Sequence, residues 1–170
     1  RLMGRRVRRT DIEGIIEKLR NRNPDLALRS TLISGFPGET EQEHQELLEF
    51  LTQVRFHRLG VFAFSREENT PAYRLSNQVP DHIKQERLSE LTDLQNEISL
   101  EMNRDLMGEV RDVIFDSGDR ESGAFTGRTS WDCPEIDNSV MVEDSVTPGR
   151  FYRVRITGCS DYDLSGVLAS

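Results

Sequence analysis

The 170 residues are 35% hydrophobic and 31% charged, which suits one medium domain or a partial domain plus a small one. No apolar run approaches the ~20 residues that a membrane helix needs. The net charge of −8 is uneven, +4 over residues 1–28 and −6 over each of residues 29–103 and 104–170, so the last two thirds have the wrong sign for gripping a nucleic-acid backbone.

The chain opens Arg1-Leu2-Met3-Gly4-Arg5-Arg6, with no initiator methionine at position 1 and no apolar signal-peptide core, and reads as the middle of something longer. Thr10 with Glu13 forms a capping-box pattern. Ile12, Ile15, Ile16 and Leu19 then recur at helical spacing until Asn23-Pro24. Leu26 to Ser34 has the apolar density of a buried strand, interrupted by Arg29, a charge that needs a partner or an exposed strand end. The strand runs into Gly35-Phe36-Pro37-Gly38-Glu39-Thr40.

Thr40 and Glu43 make a second capping box, opening a helix with Leu47, Leu48, Leu51 and Val54 on one face. Leu59 to Phe64 reads as a second buried strand, and helix, strand, helix, strand is the rhythm of parallel α/β units. Ligands in such folds sit beyond the C-terminal ends of strands. The Gly35–Thr40 loop is therefore either a ligand-approaching turn or simply a tight strand-to-helix connection. The stretch Phe64-Ser65-Arg66-Glu67-Glu68-Asn69-Thr70-Pro71-Ala72 opens onto the same end.

From Asp81 the pattern is helical through Ile83, Leu88, Leu91, Leu94, Ile98, Met102 and Leu106, with Gly108 as the stop. A helix over about 81–107 is about 40 Å long and leads from one domain, residues 1–103, into another, residues 104–170. Beyond Gly108 come short runs, Glu109–Phe115, Val140–Glu143, Phe151–Thr157 and Tyr162–Leu168, separated by glycines and Pro148. This spacing predicts a small antiparallel barrel. Cys133 and Cys159 form no Cys-x-x-Cys pair and His44, His57 and His82 stand singly. No metal centre is expected, and the thiols read as reduced. Asp132, Glu135 and Asp137 concentrate three carboxylates in six residues, either an acidic turn or a contact surface for a basic partner.

Met3–Arg6, Arg29–Thr40 (RSTLISGFPGET), Phe64–Ala72 and Asp132–Asp137 (DCPEID) together resemble the methylthiotransferase branch of the radical S-adenosylmethionine superfamily, in its order and spacing over essentially the whole chain. The resemblance implies the C-terminal part of a partial TIM-like barrel, followed by the small five-stranded antiparallel barrel known as the TRAM domain. Such enzymes bind S-adenosylmethionine and two iron–sulfur clusters. One cluster cleaves S-adenosylmethionine to a carbon radical that takes a hydrogen from the substrate, the other delivers sulfur, and a second S-adenosylmethionine supplies the methyl group. The cysteine loops that ligate the clusters have no counterpart here, so no catalytic residue is expected in this stretch, which should be inactive alone. By the same resemblance Arg29 and Thr31 face the cofactor, Gly35, Phe36 and Glu39 shape its nucleoside pocket, and Phe64 and Ser65 lie near the adenine.

The family divides between enzymes acting on a tRNA adenosine and one acting on an aspartate of the twelfth small-subunit ribosomal protein. Arg58–Phe62, Ser65–Glu68 and Arg153–Leu164 resemble the ribosomal-protein branch. The acidic last domain agrees with a basic ribosomal protein as partner, reached through Asp132, Glu135 and Asp137. The alternatives are a tRNA methylthiotransferase and a non-catalytic substrate-binding module. A cytoplasmic monomer is expected. Three positions depart from the family pattern: His57 for an aspartate, Asn69 for a glycine, whose positive φ an asparagine can still adopt, and Phe64 for a tyrosine.

Overall fold

A computed structural model describes residues 3–119 and 123–169; Arg1 and Leu2 of the opening motif lie outside them. The chain divides into two compact units, Arg1–Gln95 and Asn96–Ser170.

The first unit is helical and parallel-stranded. Helix α1 (Arg9–Arg22) starts two residues earlier than its Thr10–Glu13 pattern suggested. Its N-cap is Arg8, whose backbone N–H donates to the Asp11 carboxylate at 2.8 Å, and Glu13 is instead paired with Arg9 at 2.7 Å. Asp11, two residues ahead of Glu13, is the N3 acid that closes the box, reaching back three residues to the Arg8 amide. Of the four apolar positions only Ile16 is buried, and Ile12, Ile15 and Leu19 are exposed.

Strand β1 (Arg29–Ser34) and strand β2 (Arg58–Ala63) pair in parallel, and helix α2 (Glu41–Val54) connects them. The second capping box forms as expected. Glu43 N–H donates to Thr40 Oγ1 at 3.2 Å, and Thr40 N–H donates to Glu43 Oε2 at 2.8 Å. Those bonds favour the charged form, and hold the Glu43 carboxyl below its ordinary value, the Thr40 backbone amide being the larger cause. Leu51 and Val54 are buried with Ile16, Leu28, Phe50, Phe56 and Leu91, against Leu32, Leu59 and Val61 on one face of the sheet. At the far end of α2, Arg55 takes a left-handed conformation (φ 51°), and the Arg20 guanidinium of α1 donates to the carbonyls of Val54 and Arg55. A cation there offsets the orphaned carbonyls of a helix terminus.

His57 is half-buried at the start of β2. Its Nδ1 accepts the Leu28 N–H at 3.1 Å, and its own N–H donates to the Leu28 carbonyl at 2.9 Å. The imidazole thus offers an acceptor, as an aspartate oxygen can. Asn69 has φ 66°, the conformation expected of a glycine replacement.

Helix α3 (Asp81–Asp105) crosses the division between the units. In the first, Leu91 is fully buried and Gln95 Nε2 donates to the Phe56 carbonyl at 2.9 Å.

The second unit is a closed five-stranded barrel in the order β3-β4-β5-β7-β6, from β3 (Val110–Asp119), β4 (Ala124–Arg128), β5 (Val140–Val142), β6 (Phe151–Cys159) and β7 (Leu164–Leu168). Four pairings are antiparallel as expected. The closing pair β5–β7 is parallel, a correction in detail: both strands run the same way because β6 lies between them in sequence but on the far side of β7 in space. Phe115, Phe125, Val113, Val140, Val154 and Ile156 fill the interior with Leu106 from the turn after α3. The last turns of α3 belong to this unit through hydrogen bonds. Ser99 Oγ donates to the Asp161 carbonyl at 2.6 Å, Asn103 Nδ2 to the Ser160 carbonyl at 2.9 Å, and the Tyr162 hydroxyl to Asn96 Oδ1 at 2.6 Å.

Candidate functional site

In a parallel pair, facing residues share a side of the sheet, and successive ones alternate. The register pairs Arg29 with Arg58, Thr31 with Gly60 and Ile33 with Phe62. The intervening Leu32, Leu59 and Val61 pack into the core, so the first set lies on the opposite face. There Arg29 and Thr31 are exposed, and Ile33 and Phe62 remain 45% and 61% accessible. Gly60 keeps this face low between Thr31 and the Phe62 ring, since a methyl group there would lie 3.8 Å and 3.4 Å from them. Parallel sheets are ordinarily covered on both sides; in this chain the second face is apolar at Ile33 and Phe62, with the polar positions Arg29 and Thr31 nearer its start.

The Gly35–Thr40 loop stands at the C-terminal end of β1. Gly35 and Gly38 have φ values of +73° and +90°, open to glycine at little cost. The Gly35 N–H donates to both Glu39 oxygens, at 3.1 and 3.0 Å, and Gly38 N–H donates to the Asn77 carbonyl at 2.7 Å. Glu39 therefore curls the loop back on itself. The Phe36 and Phe64 rings meet edge to face at 5.3 Å, a favoured aromatic geometry, so the ends of β1 and β2 are bridged by aromatic contact. Ser65 is exposed, its hydroxyl donating to Glu67 at 2.5 Å. Gly35, Phe36, Glu39, Phe64 and Ser65 are thus gathered at the C-terminal ends of β1 and β2, Thr31 lies midway along β1, and Arg29 stands at the strand's opposite, N-terminal end.

Two residues beneath this loop escaped the sequence reading. Lys84 and Arg87, on α3, are buried. The Lys84 side chain passes under Gly35, so that a methyl group on Gly35 would lie 2.5 Å from Lys84 Cγ. Its ammonium lies 5.7 Å from the Phe64 ring centre and pairs with Asp81 at 3.0 Å. Arg87 donates to Glu39 Oε1 at 2.9 Å, to the Glu39 carbonyl at 3.2 Å and to Glu41 Oε2 at 3.2 Å. The Glu41 carboxyl is held below its ordinary value by the Gln45 side-chain hydrogen bond first and by that of Arg87 second. The available signal was the spacing 84, 87, 91, which puts both cations on the helical stripe that buries Leu91. Nearby, buried His44 places Nε2 2.6 Å from Glu90 Oε2.

In the barrel unit, the three carboxylates of the acidic turn are not equivalent. Asp132 is buried and accepts the Thr129 hydroxyl at 2.6 Å. Asp137 accepts the Cys133 N–H at 2.7 Å. Glu135 is exposed with φ 62°, and its neighbour Ile136 is 77% accessible. Two of the acids build the turn, and the third is displayed by it. Among the described residues no group of three or more His, Cys, Asp or Glu could hold a metal ion, and no helix is long and apolar enough to cross a membrane.

Residues 107–168 match the TRAM domain family. Over its whole length the chain is 43% identical to the ribosomal protein uS12 methylthiotransferase RimO of Chlorobium luteolum, covering 40% of that protein. It is 46% identical over 98% of its length to the protein of the same name from Chlorobium limicola, covering 39% of it. A third protein so named, from Christiangramia forsetii, is 43% identical over 89% of the chain, which covers 34% of it. Over nearly all of its length, then, the chain is similar to uS12 methylthiotransferases, and its residues 107–168 match the TRAM domain. It spans about two fifths of the length of the first two of these curated relatives. The TRAM match takes in all five barrel strands and starts at Met107, whereas the compact unit starts at Asn96. The difference is the stretch of α3 whose Ser99 and Asn103 hold the Ser160–Tyr162 carbonyls.

Proposed function

We propose that this chain is part of a methylthiotransferase that adds a methylthio group to an aspartate of the small-subunit ribosomal protein uS12. The observation that carries this is the identity of 43–46% to uS12 methylthiotransferases over 98–100% of the chain. S-adenosylmethionine and two iron–sulfur clusters are the proposed cofactors, S-adenosylmethionine supplying the hydrogen-abstracting and methyl groups and the clusters supplying electrons and sulfur. The open β1–β2 face suits the former: apolar Ile33 and Phe62 can take a purine plane, while Arg29 and Thr31 can take polar groups, and Gly35 allows close backbone approach. The described residues offer no cluster site. The clusters are therefore proposed to sit on other parts of the enzyme, and this stretch alone is proposed to be inactive.

The substrate is proposed to be a basic protein rather than tRNA. The −6 charge of residues 104–170 supports this, since it attracts cations and repels phosphate. In the acidic turn Glu135 is proposed to meet the partner, with Asp132 and Asp137 shaping the turn that presents it. A monomer in the cytoplasm completes the proposal. The test is anaerobic reconstitution of the full-length enzyme, followed by mass spectrometry of uS12 and of tRNA. Added methylthio mass on uS12 is the expected result; modification of tRNA alone refutes the protein-substrate assignment.

A further inference from the structure

We infer that Arg87 is a positioning residue for the cofactor loop: it holds the Glu39 carboxylate so that both oxygens accept the Gly35 N–H, and thereby sets the shape in which the loop receives S-adenosylmethionine. The inference rests on the proposal that the Gly35–Thr40 loop contacts that cofactor.

Arg87 is remote in sequence from the loop and its side chain is only 7% accessible, yet it spends its guanidinium on two carboxylates at the loop's end. Burying a guanidinium is costly, and a well-packed apolar side chain is often as stabilising in its place. The choice of arginine is poorly explained by stability, the more so because its buried Nε–H has no hydrogen-bond partner, which carries its own cost. What an apolar side chain cannot do is direct a carboxylate. The Arg87 fork reaches the Glu39 carboxylate and the Glu39 carbonyl together, fixing both the side chain and the backbone of one residue.

The consequence passes through one hydrogen-bonded group. Glu39, with its side chain 14% accessible, turns its oxygens onto the Gly35 N–H. Gly35 immediately follows Ile33 and Ser34 of β1 and precedes Phe36, whose ring meets Phe64. Without the cation, a largely buried carboxylate has only a backbone amide to balance its charge, and the favourable response is rotation toward water. That rotation releases the Gly35 amide and lets the loop open. Lys84 provides the floor under Gly35, so the loop is held from below by packing and at its end by Arg87.

The test combines two measurements. Amide hydrogen exchange of the full-length enzyme, resolved at Gly35, reads that N–H directly. S-adenosylmethionine KM and kcat of the full-length reconstituted enzyme read the functional consequence. In Arg87→Met, exchange at Gly35 should rise by about tenfold or more, the worth of one hydrogen bond to a charged group, while the amides of α2 and β2 keep their protection. The S-adenosylmethionine KM should rise about tenfold with kcat within about twofold, the pattern of lost binding without lost chemistry. Arg87→Lys keeps the charge without the fork and should fall between; it also carries the test should Arg87→Met fail to fold. Arg87→Met combined with Glu39→Gln should be no worse than either change alone, because both act on one contact. Unchanged Gly35 exchange, or exchange rising equally at every amide, overturns the inference and leaves the cofactor proposal standing. A released Gly35 amide with an unchanged KM overturns the proposal that this loop contacts S-adenosylmethionine, and the functional half of the inference with it.

Discussion

The barrel closes on itself, whereas the β1–β2 sheet has two strands with a single pairing between them. In the barrel each strand has two neighbours, the order closing from β6 back to β3, so no row of backbone donors is left open. Its interior is filled by side chains that are essentially inaccessible, Phe115, Val113, Val140 and Val154 among them. The β1–β2 pair has one covered face and one open face bearing Ile33 and Phe62. The barrel turns its apolar side chains inward, whereas the two-stranded sheet, in a chain spanning about two fifths of its relatives' length, displays Ile33 and Phe62 on one face, where the proposed cofactor would lie. Core substitutions in the first should therefore act on stability, and open-face substitutions in the second on ligand affinity.

The sharpest way to break this comparison is to empty the barrel. Phe115→Ala should destabilise the barrel unit by about 3–5 kcal/mol, the usual cost of a large buried aromatic, read by chemical denaturation. A loss below about 1 kcal/mol, the range of exposed sites, would mean the barrel core is not what holds it. Next in size is Gly35→Ala, which meets both a positive φ and the Lys84 side chain. A cost of about 1–3 kcal/mol is expected, together with weakened S-adenosylmethionine binding in the full-length enzyme.

A smaller effect separates two replacements of His57. His57→Phe removes the acceptor for the Leu28 N–H and should cost about 1–3 kcal/mol, whereas His57→Asp keeps an acceptor and should cost less; equal losses would deny the hydrogen bond its role. The capping box of α2 gives a pH dependence. The folded Glu43 carboxyl is held below its ordinary value of 4.5. Its contribution is fully present above that value and is lost as pH falls through the lower folded value. The stability difference between the native chain and Glu43→Gln should be largest near neutral pH and vanish in acid, and a difference that grows on acidification would reverse the assignment. The smallest expected effect on stability is Phe62→Ala on the open face, within about 0.5 kcal/mol as for exposed positions. In the full-length enzyme the same change should weaken S-adenosylmethionine binding. A large loss of stability would show that the face is a core surface.

Legibility followed locality. Thr40–Glu43 and the α3 periodicity were readable because a cap and a helical stripe are decided within a few residues. Cap choice was not readable at α1, where Asp11 and Glu13 each stand three residues after a candidate cap, Arg8 or Thr10, and Asp11 takes the Arg8 amide. Strand β4 was passed over, because Ala124-Phe125-Thr126-Gly127-Arg128 looks like a glycine-punctuated loop. Gly127 is required there by close approach, a methyl group meeting the Ile114 carbonyl of the neighbouring strand β3 at 2.5 Å, a contact that local pattern does not show. Among the site residues, the loop itself could be found by its glycines and by resemblance. The fates of Asp132, Asp137 and Glu135 could not, since three acids in one turn look alike until Thr129 and the Cys133 amide claim two of them.

By itself, then, the sequence determined the succession of the helices and of the strands other than β4, and the sign of the charge along the chain. These depend on period, punctuation and composition, which are properties of neighbours along the chain. Only the tertiary structure decided that the barrel closes through a parallel β5–β7 pair, that one sheet face stays open and that Arg87 reaches Glu39 across 48 positions. Each of those is a meeting of residues distant in sequence, where packing and the need to pair buried charge choose among partners that local pattern cannot rank.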